Sequence, residues 1–157
     1  MIVLEAMKYD LEPILKLQYL AYQSEAKLLN NPKIPPLVQT LSEVESEYEK
    51  GVILKGVSED GSIIGSVRGY IEGNTLYIGK LIVHPNMQGK GYGKQLLSSI
   101  EALYPDYRYE LFTSSKSTRN LGLYESRGYV RFQEKEVGPG LKMIYLEKYG
   151  NEKALAI

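Results

Sequence analysis

The chain reads as an α+β domain: a mostly antiparallel, twisted sheet flanked by helices. Three observations predict this. Residues 52–57, 63–71 and 76–83 are short β-prone segments joined by the turns Glu59-Asp60-Gly61 and Glu72-Gly73-Asn74, the pattern of an antiparallel meander. Segments with helical spacing and capping signals precede and follow the meander. A third helix starts directly after the last of these strands, across a glycine-rich turn. The predicted order is βααβββαβαββ.

The elements follow in turn. Residues 2–7 form a first strand. Asp10 is placed to cap a helix over residues 11–29, with Pro13 in its first turn and Ile14, Leu17, Ala21 and Leu28 on one face. The prolines of 32, 35 and 36 make residues 30–36 a loop. Thr40-Leu41-Ser42-Glu43 has the form of a capping box and opens a second helix ending near Gly51. After the meander comes a helix to about Tyr104, with Leu96, Leu97, Ile100 and Leu103 as its apolar stripe. Residues 107–113 form a strand. A helix from Thr118 or Arg119 then ends at Gly128. Residues 130–137 and 141–149 form a hairpin around Gly138-Pro139-Gly140. The chain is expected to be one domain over residues 1–150, with 151–157 as a tail.

Composition narrows the function. Among 157 residues there are 19 Lys plus Arg and 19 Asp plus Glu, so no basic field favours nucleic acid or an anionic membrane. There is no cysteine and one histidine, which excludes thiolate catalysis, disulfides and Cys- or His-rich metal sites. No signal-peptide pattern and no membrane-length apolar run occur, so the expected location is cytoplasmic. Fourteen tyrosines make any one of them a weak signal unless its position singles it out.

Gln88-Gly89-Lys90-Gly91-Tyr92-Gly93-Lys94 lies between the apolar Leu81-Ile82-Val83 and the helical Gln95-Leu96-Leu97. Alternate glycines let the backbone approach a ligand closely, and the free N–H groups of the following helix favour an anion such as phosphate. Walker A fails, because Gln88 stands where its first glycine belongs and Gln95 where Ser or Thr belongs. The dinucleotide fingerprint fails, because the third glycine comes one residue early and the preceding strands are antiparallel.

The run instead resembles the Q/R-x-x-G-x-G/A pyrophosphate loop of GNAT-type N-acetyltransferases, which use acetyl-coenzyme A. Leu81-Ile82-Val83-His84-Pro85 is similar to that family's strand end. Asn120-Leu121-Gly122-Leu123-Tyr124-Glu125-Ser126-Arg127-Gly128-Tyr129 is similar to its N-x-x-x-x-Y-x-x-x-G-[FY] segment. The resemblance runs from residue 2 to about 149 and implies a three-layer fold.

It also implies roles. Backbone amides of Gln88, Gly89, Lys90, Gly91, Tyr92, Gly93 and Lys94 bind the coenzyme pyrophosphate, with Lys90 and Lys94 adding charge. Leu81, Ile82 and Val83 pair with the pantetheine arm as an added strand would, and Asn120 hydrogen-bonds it. Their amides stabilise the oxyanion. Tyr124 is the general acid for the departing thiolate. Attack needs a neutral amine, and family members often carry a carboxylate base on the strand before the loop. Gly79-Lys80-Leu81-Ile82 has none. Glu110 is the first substitute base; Glu25 is second, or holds the acceptor's cation. His84 reads as a turn residue. Tyr19, Tyr22 and Glu25 are expected to line the acceptor site, with the proline loop as a wall.

The resulting expectation is direct acetyl transfer from acetyl-CoA to a primary amine of a small molecule or peptide, without a metal. A homodimer is compatible with it. The rival is a non-catalytic acyl-CoA-binding module; a nucleotide-binding protein is a weaker third reading.

Overall fold

Seven strands make one sheet: β1 (Ile2–Glu5), β2 (Val52–Val57), β3 (Ile63–Glu72), β4 (Thr75–Val83), β5 (Arg108–Ser114), β6 (Val130–Gly138) and β7 (Leu141–Tyr149). Their spatial order is β1-β2-β3-β4-β5-β7-β6. All neighbours are antiparallel except β4 and β5, which run parallel. The computed structural model describes residues 1–150; the expected tail at 151–157 lies outside the described residues.

Successive side chains of a strand point to opposite faces, and β2 shows the consequence. Val52 and Leu54 join a core on one face, while Ile53 joins a separate core on the other. The first core packs α5 (Tyr92–Leu103) and α6 (Thr118–Ser126) on the sheet, with Leu96, Leu97 and Ile100 fully buried against residues that include Val67 and Leu76. Each such side chain contributes on the order of 1.5–3 kcal/mol. The second core packs α1 (Leu11–Ala21) and α4 (Leu41–Lys50) on the opposite face through Ile14, Leu15 and Val44. Helices on both faces of one sheet give the expected three layers.

Several details differ from the sequence reading. The helix expected over residues 11–29 breaks at Tyr22, whose ψ of 0° ends α1 and starts α2 (Gln23–Leu28). The break leaves Leu28 exposed and buries Ala26. Asp10 does not cap α1; it sits in a 3-10 turn, Lys8–Asp10. Its carboxylate accepts from the Met7 N–H at 2.8 Å and from Lys55 Nζ at 2.7 Å. The proline loop holds a helical turn, α3 (Pro35–Val38), because proline is tolerated at the first helical positions. Leu103, in the last turn of α5, is exposed rather than part of its stripe. The capping box of α4 is present: the Glu43 N–H donates to Thr40 Oγ1 (3.2 Å), and the Thr40 N–H donates to Glu43 Oε1 (2.9 Å).

Candidate active site

Strands β4 and β5 are neighbours only at their starts. The register runs Thr75↔Arg108, Leu76↔Tyr109, Tyr77↔Glu110 and stops there. Yet β4 continues to Val83 on its β3 side, and β5 continues to Ser114 on its β7 side. The inner edges therefore part into a gap, and the β5-facing backbone of Leu81, Ile82 and Val83 has no strand partner among the described residues. An extended, amide-bearing chain can pair there as a strand would.

The gap leads to the glycine run. A 3-10 turn, Pro85–Met87, follows β4; His84 Nδ1 caps it by accepting from the Asn86 N–H at 3.1 Å, so the histidine is a turn residue as expected. Gly89 and Gly91 have φ of 78° and 82°, a left-handed backbone that L side chains resist. A Cβ at either would meet nothing within 4 Å, so the loop presents an open face. Gly91 is the N-cap of α5 and supplies no side-chain cap, which leaves the first-turn N–H groups of Tyr92, Gly93 and Lys94 to bind an anion. A Cβ at Gly93 would approach Leu123 Cδ2 to 3.4 Å, so this glycine lets α5 lie close to α6. Lys90 and Lys94 are exposed.

Arg119 was not singled out from the sequence. It sits in the first turn of α6, and its Nη1 donates to Gln88 Oε1, which brings a guanidinium to the loop. The signal available was its position beside Asn120. These parted strands, left-handed glycines and added cations fit a ligand with a diphosphate at one end and an amide-rich arm.

On the other side of the gap, α6 carries Asn120 and Tyr124. Asn120 Nδ2 donates to Thr113 Oγ1 on β5 at 3.2 Å. Tyr124 is buried, and burial raises its pKa, with Tyr22 and Glu25 raising it further. Its hydroxyl has no hydrogen-bond partner among the described residues. Glu25, on α2, accepts from Ser117 Oγ at 3.3 Å, and burial raises its pKa against that bond. Tyr22 lies in the same surroundings. Burial pushes its phenol up to about 12; Arg68 pulls it down and Glu25 pushes it up. The break at Tyr22 thus brings α2 to the start of α6, and Tyr22, Glu25 and Tyr124 together.

Glu110 is elsewhere. It occupies the last position at which β5 pairs with β4, opposite Tyr77, and Arg108 Nη1 holds its carboxylate at 2.9 Å while Arg108 Nε binds Glu147 at 2.8 Å. Glu25, and not Glu110, is among the groups that raise the Tyr124 pKa. The Tyr19 hydroxyl donates to the Gln39 carbonyl and ties α1 to the end of the proline loop.

A second cluster, invisible in the sequence, lies where β4 bulges. Ser66 opposes Ile82 and Arg68 opposes Gly79, so Lys80 and Leu81 together face one residue of β3. Lys80 takes a left-handed φ of 49°. Its ammonium reaches Glu47 Oε1 at 3.5 Å, and the same carboxylate takes Arg68 at 3.2 Å. Gln39 ties the cluster together, donating to Glu47 (2.6 Å) and accepting from Gln18 (2.9 Å) and Arg68 (3.1 Å).

Comparison with known proteins agrees with this geometry. A profile of the acetyltransferase (GNAT) family matches residues 14–129. The chain belongs to that family. Its resemblance to the acetyl-CoA-dependent enzymes is therefore one of family membership. Among curated proteins it is 26% identical over 141 residues to the UPF0157 protein YqkA of Bacillus subtilis (strain 168), covering 89% of this chain but 40% of that one. Solved structures share the fold. The ribosomal-protein-S18-alanine N-acetyltransferase of Escherichia coli superposes with a TM-score of 0.81 at 14% identity, covering 96% of this chain and 94% of that one. The PaiA N-acetyltransferase of Thermoplasma acidophilum, in complex with coenzyme A, gives 0.78 at 15%, covering 94% and 98%. The phosphinothricin acetyltransferase of Sinorhizobium meliloti, in complex with acetyl-CoA, gives 0.76 at 16%, covering 96% and 89%.

Proposed function

We propose that the chain transfers the acetyl group of acetyl-CoA to a primary amine of a small molecule or peptide, by direct attack in a ternary complex. The observation that carries this is the gap between β4 and β5, which opens onto left-handed Gly89 and Gly91 at one end and lies beside Tyr124. The pyrophosphate would lie on the amides from Gly89 to Lys94, with Arg119, Lys90 and Lys94 around it. The pantetheine arm would pair with Leu81, Ile82 and Val83, and Asn120 would bind it from α6.

Acetyl-CoA supplies an activated acyl carbon; the protein supplies proton handling and orientation. The amine nitrogen bonds to the carbonyl carbon, and β4 amides stabilise the oxygen that becomes negative. Collapse breaks the C–S bond. Tyr124, its pKa raised by burial, stays protonated at neutral pH and gives its proton to the departing sulfur. Glu25 takes the proton that the amine nitrogen loses and returns it to the Tyr124 oxygen, which closes the cycle. A carboxylate whose pKa is raised is a stronger base than an exposed one, and this favours Glu25 over the arginine-bound Glu110.

Thiol release from acetyl-CoA across a panel of primary amines tests the reading. Amine-dependent release that Tyr124→Phe suppresses supports it. Saturable acetyl-CoA binding without release for any amine would replace it with the non-catalytic module.

A further inference from the structure

A groove of about 270 Å³ opens beside the β4 bulge, lined by Lys33, Pro35, Val38, Gln39, Glu43 and Lys80. One wall is Lys80, on the strand proposed to carry the pantetheine arm. The groove therefore begins where an acceptor would enter.

Its charges do not balance. Arg68 and Lys80 share the single carboxylate of Glu47. Arg68 is nearly fully buried and its Nε has no partner, the one such side-chain atom among the described buried residues. Burial lowers the pKa of both cations, so each is desolvated beyond what Glu47 restores. Glu43 adds a second negative charge, but its Oε1 is held by the Thr40 N–H and hydroxyl at 2.9 and 3.0 Å. Lys33 adds a third cation, and no carboxylate pairs with its ammonium among the described residues. The groove's own lining thus sets Lys33 and Lys80 against Glu43, which is fixed in a helix cap, while beside it Lys80 shares Glu47 with Arg68. Lys80 takes its left-handed φ of 49° at the bulge, and its ammonium reaches Glu47 on α4.

We infer that the acceptor is an amine that also carries a carboxylate, and that this carboxylate docks between Lys80 and Lys33 while the amino group reaches the thioester. The inference rests on the acetyl-transfer reading above and adds the acceptor class. An anion seated there completes the charge of the cluster; a polyamine or other purely cationic acceptor would add to the excess. Pro35 and Val38 give the groove an apolar side, suited to the carbon skeleton of such a molecule.

The test uses matched triplets: an amino acid, its amide and its decarboxylated amine, across several side chains. Thiol release is read for the unsubstituted chain, Lys80→Gln and Lys33→Gln. For at least one side chain the free carboxylate should raise kcat/KM about tenfold or more over its amide, and both variants should lower that preference while acetyl-CoA still stabilises them against heat. Lys33 is exposed, so its variant keeps the test valid if Lys80→Gln folds poorly. Amides or decarboxylated amines used as well as the acids would overturn the inference and leave acetyl transfer standing. Should no amine turn over, acetyl transfer itself fails. The groove is then judged by heat stabilisation of the coenzyme A complex by the same triplets: a gain confined to the carboxylates and lost in Lys33→Gln supports the docking site, and no gain overturns it.

Discussion

Removing one oxygen from each of two buried tyrosines should have opposite consequences. Tyr124 and Tyr109 are both buried, at 7% and 2% exposure. The Tyr109 hydroxyl donates toward the carbonyls of Tyr104 (2.7 Å) and Glu101 (3.0 Å), which ties β5 to the end of α5. Tyr109→Phe loses that bond and leaves carbonyl groups short of a donor, a cost of about 1–2 kcal/mol. For a chain of this size that is a fall in Tm of about 2–8 °C, with turnover of the folded fraction unchanged. The Tyr124 hydroxyl has no partner to lose, so Tyr124→Phe should leave stability within about 0.5 kcal/mol of wild type, or improve it. Its turnover should fall about a hundredfold or more, with KM for acetyl-CoA little changed, because the hydroxyl acts on the departing sulfur. Thermal unfolding and thiol release on the three proteins decide the matter. A Tyr124→Phe protein that melts several degrees early yet turns over normally would refute the assignment.

Three further outcomes follow from the geometry. Glu25 has a folded-state pKa raised by burial, so its ionised form is penalised in the native protein. Glu25→Gln should therefore be more stable than wild type at about pH 8, with the gain fading as pH falls through the raised pKa and absent below the unfolded value of about 4.3; urea unfolding across pH measures this, and its turnover should drop about a hundredfold. Gly91→Ala places a methyl group on the open face of the loop at a φ of 82°, at a cost of about 1–2 kcal/mol in stability and about tenfold or more in KM for acetyl-CoA, read by steady-state kinetics. Thr40→Ala removes the cap of α4 and should cost about 1 kcal/mol in urea unfolding, with a loosening of the groove that α4 helps to line.

The sequence made some parts of this molecule legible for local reasons. β2 and β7 begin and end as read, because β-prone residues stand between glycine turns. The Thr40–Glu43 box is contained within a few residues and needs no tertiary information, whereas α5 starts at Tyr92, inside the run read as loop up to Lys94. The break at Tyr22 has no proline or glycine to announce it. Asp10 looked like the cap of the helix after it because its bond to Lys55 crosses 45 positions. The two prolines at 35 and 36 read as breakers although they start a helical turn. The site divides in the same way. The proposed donor half is a local motif, legible in the glycine run and in the Asn120–Tyr124 spacing. The proposed acceptor half is assembled over long range: Glu25 meets Ser117 across 92 positions, and Arg68 meets Gln18 across 50. Lys80 at the bulge was hidden because Gly79 beside it is the residue expected to take an unusual backbone, while the strain falls on the lysine.

The central claim is a one-step transfer from acetyl-CoA to an amine, in a chain with no cysteine to carry the acyl group. Mass spectrometry with acetyl-CoA labelled in the acetyl group tests it most directly, on the protein and on the acceptor in the same reaction. The label should appear on the amine nitrogen of the acceptor in step with free coenzyme A, and the protein should keep its unmodified mass throughout. Label accumulating on the protein before it reaches the amine, or coenzyme A released with no acetylated amine, would contradict the account.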